Sequence, residues 1–167
     1  MTASTMARRR RSREMAVKVL YQADMSGVSI TEAFQLFCEH FGGSEQSMVF
    51  AKELLDGIDA HFDGINSLIS QFSEHWRLDR MSMVDRNILR LAVYELLGRP
   101  DIPAKVSINE AVELGKKFGT EESGAFINGI LDRIRSHLRP GEEGGGQTED
   151  GATSHQTAEA GGEADGS

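Results

Sequence analysis

Apolar residues recur at spacings of three and four along most of the first 139 residues. No segment alternates apolar and polar residues for long enough to indicate a strand, so the pattern predicts an all-α fold of about seven helices. The expected helices cover residues 9–25, 29–41, 44–61, 63–75, 82–97, 107–118 and 121–137.

Residue types typical of helix ends lie between these segments. Residues 29–32 (Ser-Ile-Thr-Glu) and 107–110 (Ser-Ile-Asn-Glu) match the capping box, and Ser82 with Asp85 is a looser example. We expect left-handed C-terminal caps at four glycine positions: Gly27, Gly42-Gly43, Gly98 and Gly119. Prolines at 100 and 103 exclude a helix through the link at 99–106.

The segment 82–97 is the most apolar helix and is predicted to lie at the centre of the fold, because its apolar residues cover more than one stripe. The predicted core positions are Val17, Leu20, Leu54, Ile58, Ile88, Leu91, Leu114, Ile130 and Leu131.

The composition changes after Arg139. Residues 140–167 contain seven acidic residues, no Lys or Arg and no large apolar residue, so a disordered tail is predicted. When those seven are removed from the 26 acidic residues, 19 remain against 18 basic ones, and the tail therefore accounts for most of the net charge of −8. It is either an electrostatic competitor for the basic N-terminus or a solubilising extension.

Positive charge is concentrated at the N-terminus, where the first 24 residues carry six basic and two acidic residues. We expect residues 1–8 to form a flexible basic arm and residues 9–139 to form one helical domain. The arginines lead into no apolar run of the secretory type, and no apolar stretch is long enough to span a membrane. The single cysteine fits a reducing compartment, so a cytoplasmic location is expected.

The residue types needed for catalysis do not occur together. None of the five histidines has another at a spacing of three or four, so no helical metal site is encoded locally. Residues 119–124 have the glycine spacing of a phosphate loop, but Ala125 and Phe126 stand where Lys and Ser or Thr are required. Cys38 lies among apolar residues. We therefore expect no enzyme activity, metal or cofactor.

Two features remain, the arginine cluster and the aromatic residues of segment 116–129. Arginines bind phosphates, and exposed aromatic rings stack on unpaired bases, so together they suggest RNA binding. The alternatives are that the rings belong to the core, and that the arginines pair with a protein surface in a helical adaptor that does not bind RNA specifically.

Several segments resemble one known family. Residues 9–21 (RRRSREMAVKVLY) resemble the R-R-x-x-R-E-x-A-x-x-x-L-Y pattern of the NusB family of bacterial transcription antitermination factors. Residues 85–96, 103–114, 117–119 and 126–132 resemble its C-terminal half in order and spacing. The resemblance extends over about residues 8–138.

This resemblance implies two small packed helical bundles and a role without catalysis. It implies binding of single-stranded boxA RNA in ribosomal RNA transcripts together with NusE, a ribosomal protein. The complex would join RNA polymerase with NusA and NusG and suppress premature termination. Some family members are thought to form homodimers, and the sequence does not decide this point.

The resemblance also implies which residues contact RNA. The arginines would contact phosphates, and the aromatic rings would stack on bases. For Tyr21, packing of the ring into the core remains the alternative. Arg90 would lie near the RNA surface, and the Asn128 amide can pair with a base edge. The expected RNA-binding residues are Arg9, Arg10, Arg11, Arg13, Tyr21, Arg90, Lys117, Phe118, Phe126 and Asn128.

Overall fold

The computed structural model describes residues 2–74 and 76–144. Within these residues the chain forms seven α-helices, one short 3₁₀ turn at Leu78–Arg80 and no strand, which confirms the predicted all-α fold. The helices are α1 (Ala3–Ser26), α2 (Ile30–Phe41), α3 (Glu45–Ala60), α4 (Phe62–Phe72), α5 (Met83–Gly98), α6 (Ala104–Phe118) and α7 (Ser123–Leu138).

Helix α5 lies at the centre, as its composition predicted. It contacts α1, α3, α4, α6 and α7, while α2 packs against α1 and α3. The N-terminal and C-terminal helices therefore share one hydrophobic core across α5. All nine core positions predicted from the sequence are buried. This packing holds α1 against α5, and side-chain bonds from Arg10 and Glu14 join α1 to α6.

Two of the predicted N-terminal caps are confirmed, and the third is wrong. The Ser29 and Ser82 hydroxyls accept hydrogen bonds from the Glu32 and Asp85 amides at 3.0 and 3.1 Å. Ser107 is no cap, because α6 begins three residues earlier, directly after Pro103. Proline is favourable at a helix start, where its missing N–H is not needed. Ser107 is consequently buried inside α6.

Of the predicted left-handed C-terminal caps, the one at Gly27 is confirmed. Gly27 ends α1 with φ of 68° and ψ of 24°, whereas Gly42 has a positive φ of 54° but an extended ψ of 170°. Gly98, however, is the last residue of α5, and Gly119 is extended with φ of −96°. A Cβ at Gly119 would overlap the Ser123 side chain. Glycine is thus required at 119 by the close approach of α7.

Both ends of the domain differ from the expectation. Helix α1 begins at Ala3, so residues 3–8, expected to form a flexible arm, continue the first helix. At the other end, the Ala104 amide donates to the Glu142 carboxylate at 3.0 Å, which places the start of the predicted tail against α6. The predicted disorder of residues 145–167 lies outside the described residues. Helix α4 ends at Phe72, earlier than the predicted end at 75.

Candidate nucleic-acid interface

Helix α1 presents basic and aromatic side chains to a groove between α1, α2 and the C-terminal end of α6, which we call the first groove. Its volume is about 950 Å³, and its lining includes Arg11, Lys18, Tyr21 and Phe118. Tyr21 is 36% exposed and Phe118 is half-buried against the core. The Lys18 and Lys117 ammonium groups lie 5.8 and 5.5 Å from the centre of the Phe118 ring. The structure therefore brings together four of the predicted RNA-binding residues, Arg11, Tyr21, Lys117 and Phe118.

The first arginines of α1 lie on several sides of the helix. The Arg9 guanidinium stacks over the Phe50 ring at 4.9 Å, and Arg10 pairs with Glu110 on α6 through two hydrogen bonds of 2.9 and 3.1 Å. Arg11 is exposed and lines the first groove. Exposed arginines of this kind attract phosphates without reading the base sequence.

Arg13 corrects the sequence-based expectation. It was expected to contact phosphates, but it is only 3% exposed. Its guanidinium donates to both oxygens of the Glu95 carboxylate, the shortest distance being 2.6 Å, and the Ser107 hydroxyl donates to the same carboxylate. Burial of both charges in one pair satisfies their hydrogen bonds inside the protein. Arg13 therefore joins α1 to α5 and α6 and is not available to a ligand.

Arg90 is also held by the protein. It is 8% exposed, and it donates to Asp24, Asn66 and Asn87 at 2.9 to 3.1 Å. Arg86 donates to both oxygens of Asp24 at 2.6 and 2.7 Å. Arg90 therefore does not project freely toward RNA as expected. It lines the wall of a neighbouring groove. Asp24 connects the end of α1 to α5.

The same contacts shift the pKa values of the cluster. The hydrogen bond from Arg86, with help from Asn87, lowers the pKa of Asp24. The bond to Asp24 raises the pKa of Arg86, whereas burial lowers the pKa of Arg90. All three groups are charged at neutral pH, and both guanidinium groups are held by the one carboxylate. The three side chains therefore form one ion-paired cluster between α1 and α5.

The lowered pKa of Asp24 predicts a pH dependence of stability. Because the folded-state pKa lies below the unfolded value of about 3.9, the stabilisation is complete above that value and is lost as the pH falls through the folded pKa. We expect Asp24→Asn to lower the free energy of unfolding by about 1 to 2 kcal/mol at pH 7. The difference from the unmodified protein should shrink below about pH 4. Urea unfolding between pH 3 and 7 measures it, and an equal loss at every pH would contradict the assignment.

The remaining predicted residues belong to α6 and α7. Lys117 is exposed and donates to Glu14 at 2.8 Å. Phe126 is half-buried, and its ring meets the Trp76 ring edge-on at 6.3 Å between centres. Asn128 is half-buried on α7. Trp76 was not among the RNA-binding residues expected from the sequence. A single tryptophan in a polar segment between two apolar helices could have indicated it.

The part of the chain that the structure describes shows no metal site, no activated thiol and no membrane-spanning helix. Residues 2–74 and 76–144 contain no cluster of three His, Cys, Asp or Glu side chains suited to a metal ion. Burial raises the pKa of the Cys38 thiol, which is the opposite of activation. None of the helices in these ranges is long and apolar enough to cross a membrane.

The fold and this surface define a small all-helical protein with a basic, aromatic-bearing face on its first helix. The family model described as the NusB family matches residues 10–136. The chain belongs to the NusB family of transcription antitermination proteins. It is 51% identical over 136 residues to the transcription antitermination protein NusB of Myxococcus xanthus (strain DK1622), covering 77% of this chain and 95% of the relative. It is 50% identical over 133 residues to that of Desulfatibacillum aliphaticivorans, covering 80% and 93%.

Solved structures agree with this assignment. T. maritima NusB superposes with a TM-score of 0.70 at 42% identity, covering 75% of this chain and 89% of that one. A crystal structure of the antitermination factors NusB and NusE in complex with dsRNA superposes with a TM-score of 0.72 at 32% identity, covering 79% and 98%. The resemblance found in the sequence is thereby confirmed.

Proposed function

We propose that this protein is a transcription antitermination factor that binds the boxA element of ribosomal RNA transcripts. The observation that carries the proposal is the first groove, where Arg11 and Lys18 stand beside Tyr21 and Phe118. Cationic side chains neutralise phosphates, and exposed rings stack on unpaired bases, so the groove suits a short single-stranded RNA. The expected stacking role of Tyr21 fits its partial exposure.

The second partner in the proposal is NusE. A structural neighbour that contains NusB and NusE with RNA supports it, and NusE bound beside this protein would extend the RNA that is contacted. If NusE and RNA favour the same bound state, each raises the affinity for the other. In the complete assembly, the pair would join RNA polymerase with NusA and NusG in the cytoplasm. The protein would act by binding and would catalyse no reaction.

Fluorescence anisotropy of a labelled boxA RNA, beside a scrambled RNA of equal length, tests the proposal. We expect tighter binding to boxA, an increase in affinity when NusE is added, and a fall in affinity with salt. Arg11→Gln should reduce the log–log salt slope by about 0.7, the value for one phosphate contact on a single strand. The control is Lys52→Gln on α3, which removes an exposed positive charge outside the first groove. Arg13 cannot serve as this control because it is buried.

The alternative is a helical adaptor that pairs its arginines with a protein surface. It predicts equal, weak binding to both RNAs and no effect of NusE on either. A homodimer that covers the arginines of α1 is a separate case. Light scattering with and without RNA detects it, because RNA would then compete with dimer formation.

A further inference from the structure

A second groove lies outside the one that carries the proposed function. It is formed by the end of α4, the turn at Leu78–Arg80 and the start of α5, and its volume is about 740 Å³. Trp76 lines it and is 55% exposed, and it is the only tryptophan in the sequence. Trp side chains are strongly buried on average in folded proteins, so an indole that is half exposed in a groove indicates a binding surface.

Two hydrogen bonds join Trp76 to Ser73. The Trp76 amide donates to the Ser73 carbonyl at 2.9 Å, and the Ser73 hydroxyl donates to the Trp76 carbonyl at 2.8 Å. Ser73 itself is buried. On the α7 side, the Phe126 ring meets the indole edge-on, with 81° between the ring planes. The indole is therefore positioned by the bonds between Trp76 and Ser73 and by a neighbouring ring.

The groove carries charges of both signs. Its lining includes three arginines, Arg77, Arg86 and Arg90, and two acidic residues, Glu74 and Asp79. Arg86 and Arg90 are both held by the Asp24 carboxylate, so Arg77 is the arginine of this lining that can turn to a ligand. Arg77 is paired with Asp79 at 3.3 Å, but both side chains are largely exposed, so this pair adds little stability and exchanges readily for another anion.

We propose that Trp76 stacks on an unpaired base of the bound RNA, beside Phe126, and that Arg77 contacts the adjoining phosphate. A flat aromatic ligand with an anionic group matches the indole and Arg77 together, whereas an apolar peptide would use only the indole. The inference rests on the proposed RNA-binding function and extends the RNA path from the first groove to a second base-binding position.

The single tryptophan makes the test direct. All indole fluorescence comes from residue 76, so stacking on a base should quench it as boxA RNA is added. The midpoint should agree with that from anisotropy of the labelled RNA. Trp76→Ala should weaken boxA binding by about 5- to 150-fold, the range for loss of one stacking residue, while Trp76→Phe should recover most of the affinity. Leu97→Ala, which truncates an exposed apolar residue at the far end of α5, is the matched control and should bind as the unmodified protein does.

Two further measurements separate stacking from charge. Trp76→Ala should leave the salt slope unchanged, whereas Arg77→Gln should lower it by about 0.7. A series of boxA RNAs, each lacking one base, should contain one position at which removal of the base weakens binding to the unmodified protein. The same removal should not weaken binding to Trp76→Ala any further. That pattern supports stacking of this base on the indole.

The outcomes separate this inference from the proposed function. If labelled boxA binds no better than scrambled RNA, the proposed function fails. If boxA binds specifically but leaves the fluorescence unchanged and Trp76→Ala binds as tightly as the unmodified protein, only the inference fails. Quenching by NusE in the absence of RNA, with no quenching by RNA alone, would also overturn it, because the groove would then be a protein contact.

Discussion

Replacing Arg13 by Ala should lower the free energy of unfolding by about 3 to 5 kcal/mol, the usual cost of removing one partner from a buried ion pair. The pair with Glu95 has side chains that are 4% and 1% exposed, and the variant leaves the carboxylate buried without its main partner. The Ser107 hydroxyl alone cannot replace a bidentate guanidinium. Urea unfolding followed by circular dichroism measures the loss.

Arg10→Ala provides the matched control. Arg10 also pairs with a glutamate on another element, but its side chain is 57% exposed, so we expect a loss of no more than about 1 kcal/mol. A double variant, Arg13→Met with Glu95→Leu, should regain much of the stability because it removes both buried charges. The assignment would be wrong if Arg13→Ala kept full stability and lost RNA affinity, since Arg13 would then act as a phosphate contact.

Phe126→Ala should weaken boxA binding by about 1 to 3 kcal/mol, the range for a residue that stacks on a base. Part of the Phe126 ring packs against the core, so this variant also loses stability. Phe126→Leu separates the two effects, because leucine keeps most of the apolar volume and has no ring. We expect Phe126→Leu to melt close to the unmodified protein and still to lose RNA affinity, as measured by thermal unfolding and anisotropy.

Phe34→Leu, at a half-buried position of α2 that also packs against the core, serves as the control for ring removal. It should change stability to a similar extent and leave boxA affinity unaffected. If Phe126→Leu binds boxA as tightly as the unmodified protein, the Phe126 ring belongs to the core alone.

The predictions from sequence were most accurate where local periodicity decides the structure. Apolar spacing along 82–97 placed α5 at the centre, and serine side chains marked the starts of α2 and α5. They were least accurate where two local signals compete. Ser107 matches a cap, but Pro103 begins α6 earlier, and the whole Ser-Ile-Asn-Glu motif then lies within the helix.

The candidate site also separates what the sequence determines from what the packing of the helices decides. The sequence by itself determined an all-helical domain, the basic first helix and the family, because these depend on composition, spacing and ordered motifs. Only the tertiary structure decided which arginines are free. Arg11 and Arg13 are two residues apart on one helix, yet one faces solvent and the other is buried against Glu95, 82 positions further along the chain. Residues two apart point to different sides of a helix, and the partner of the inward side is set by packing between helices, which local spacing does not encode.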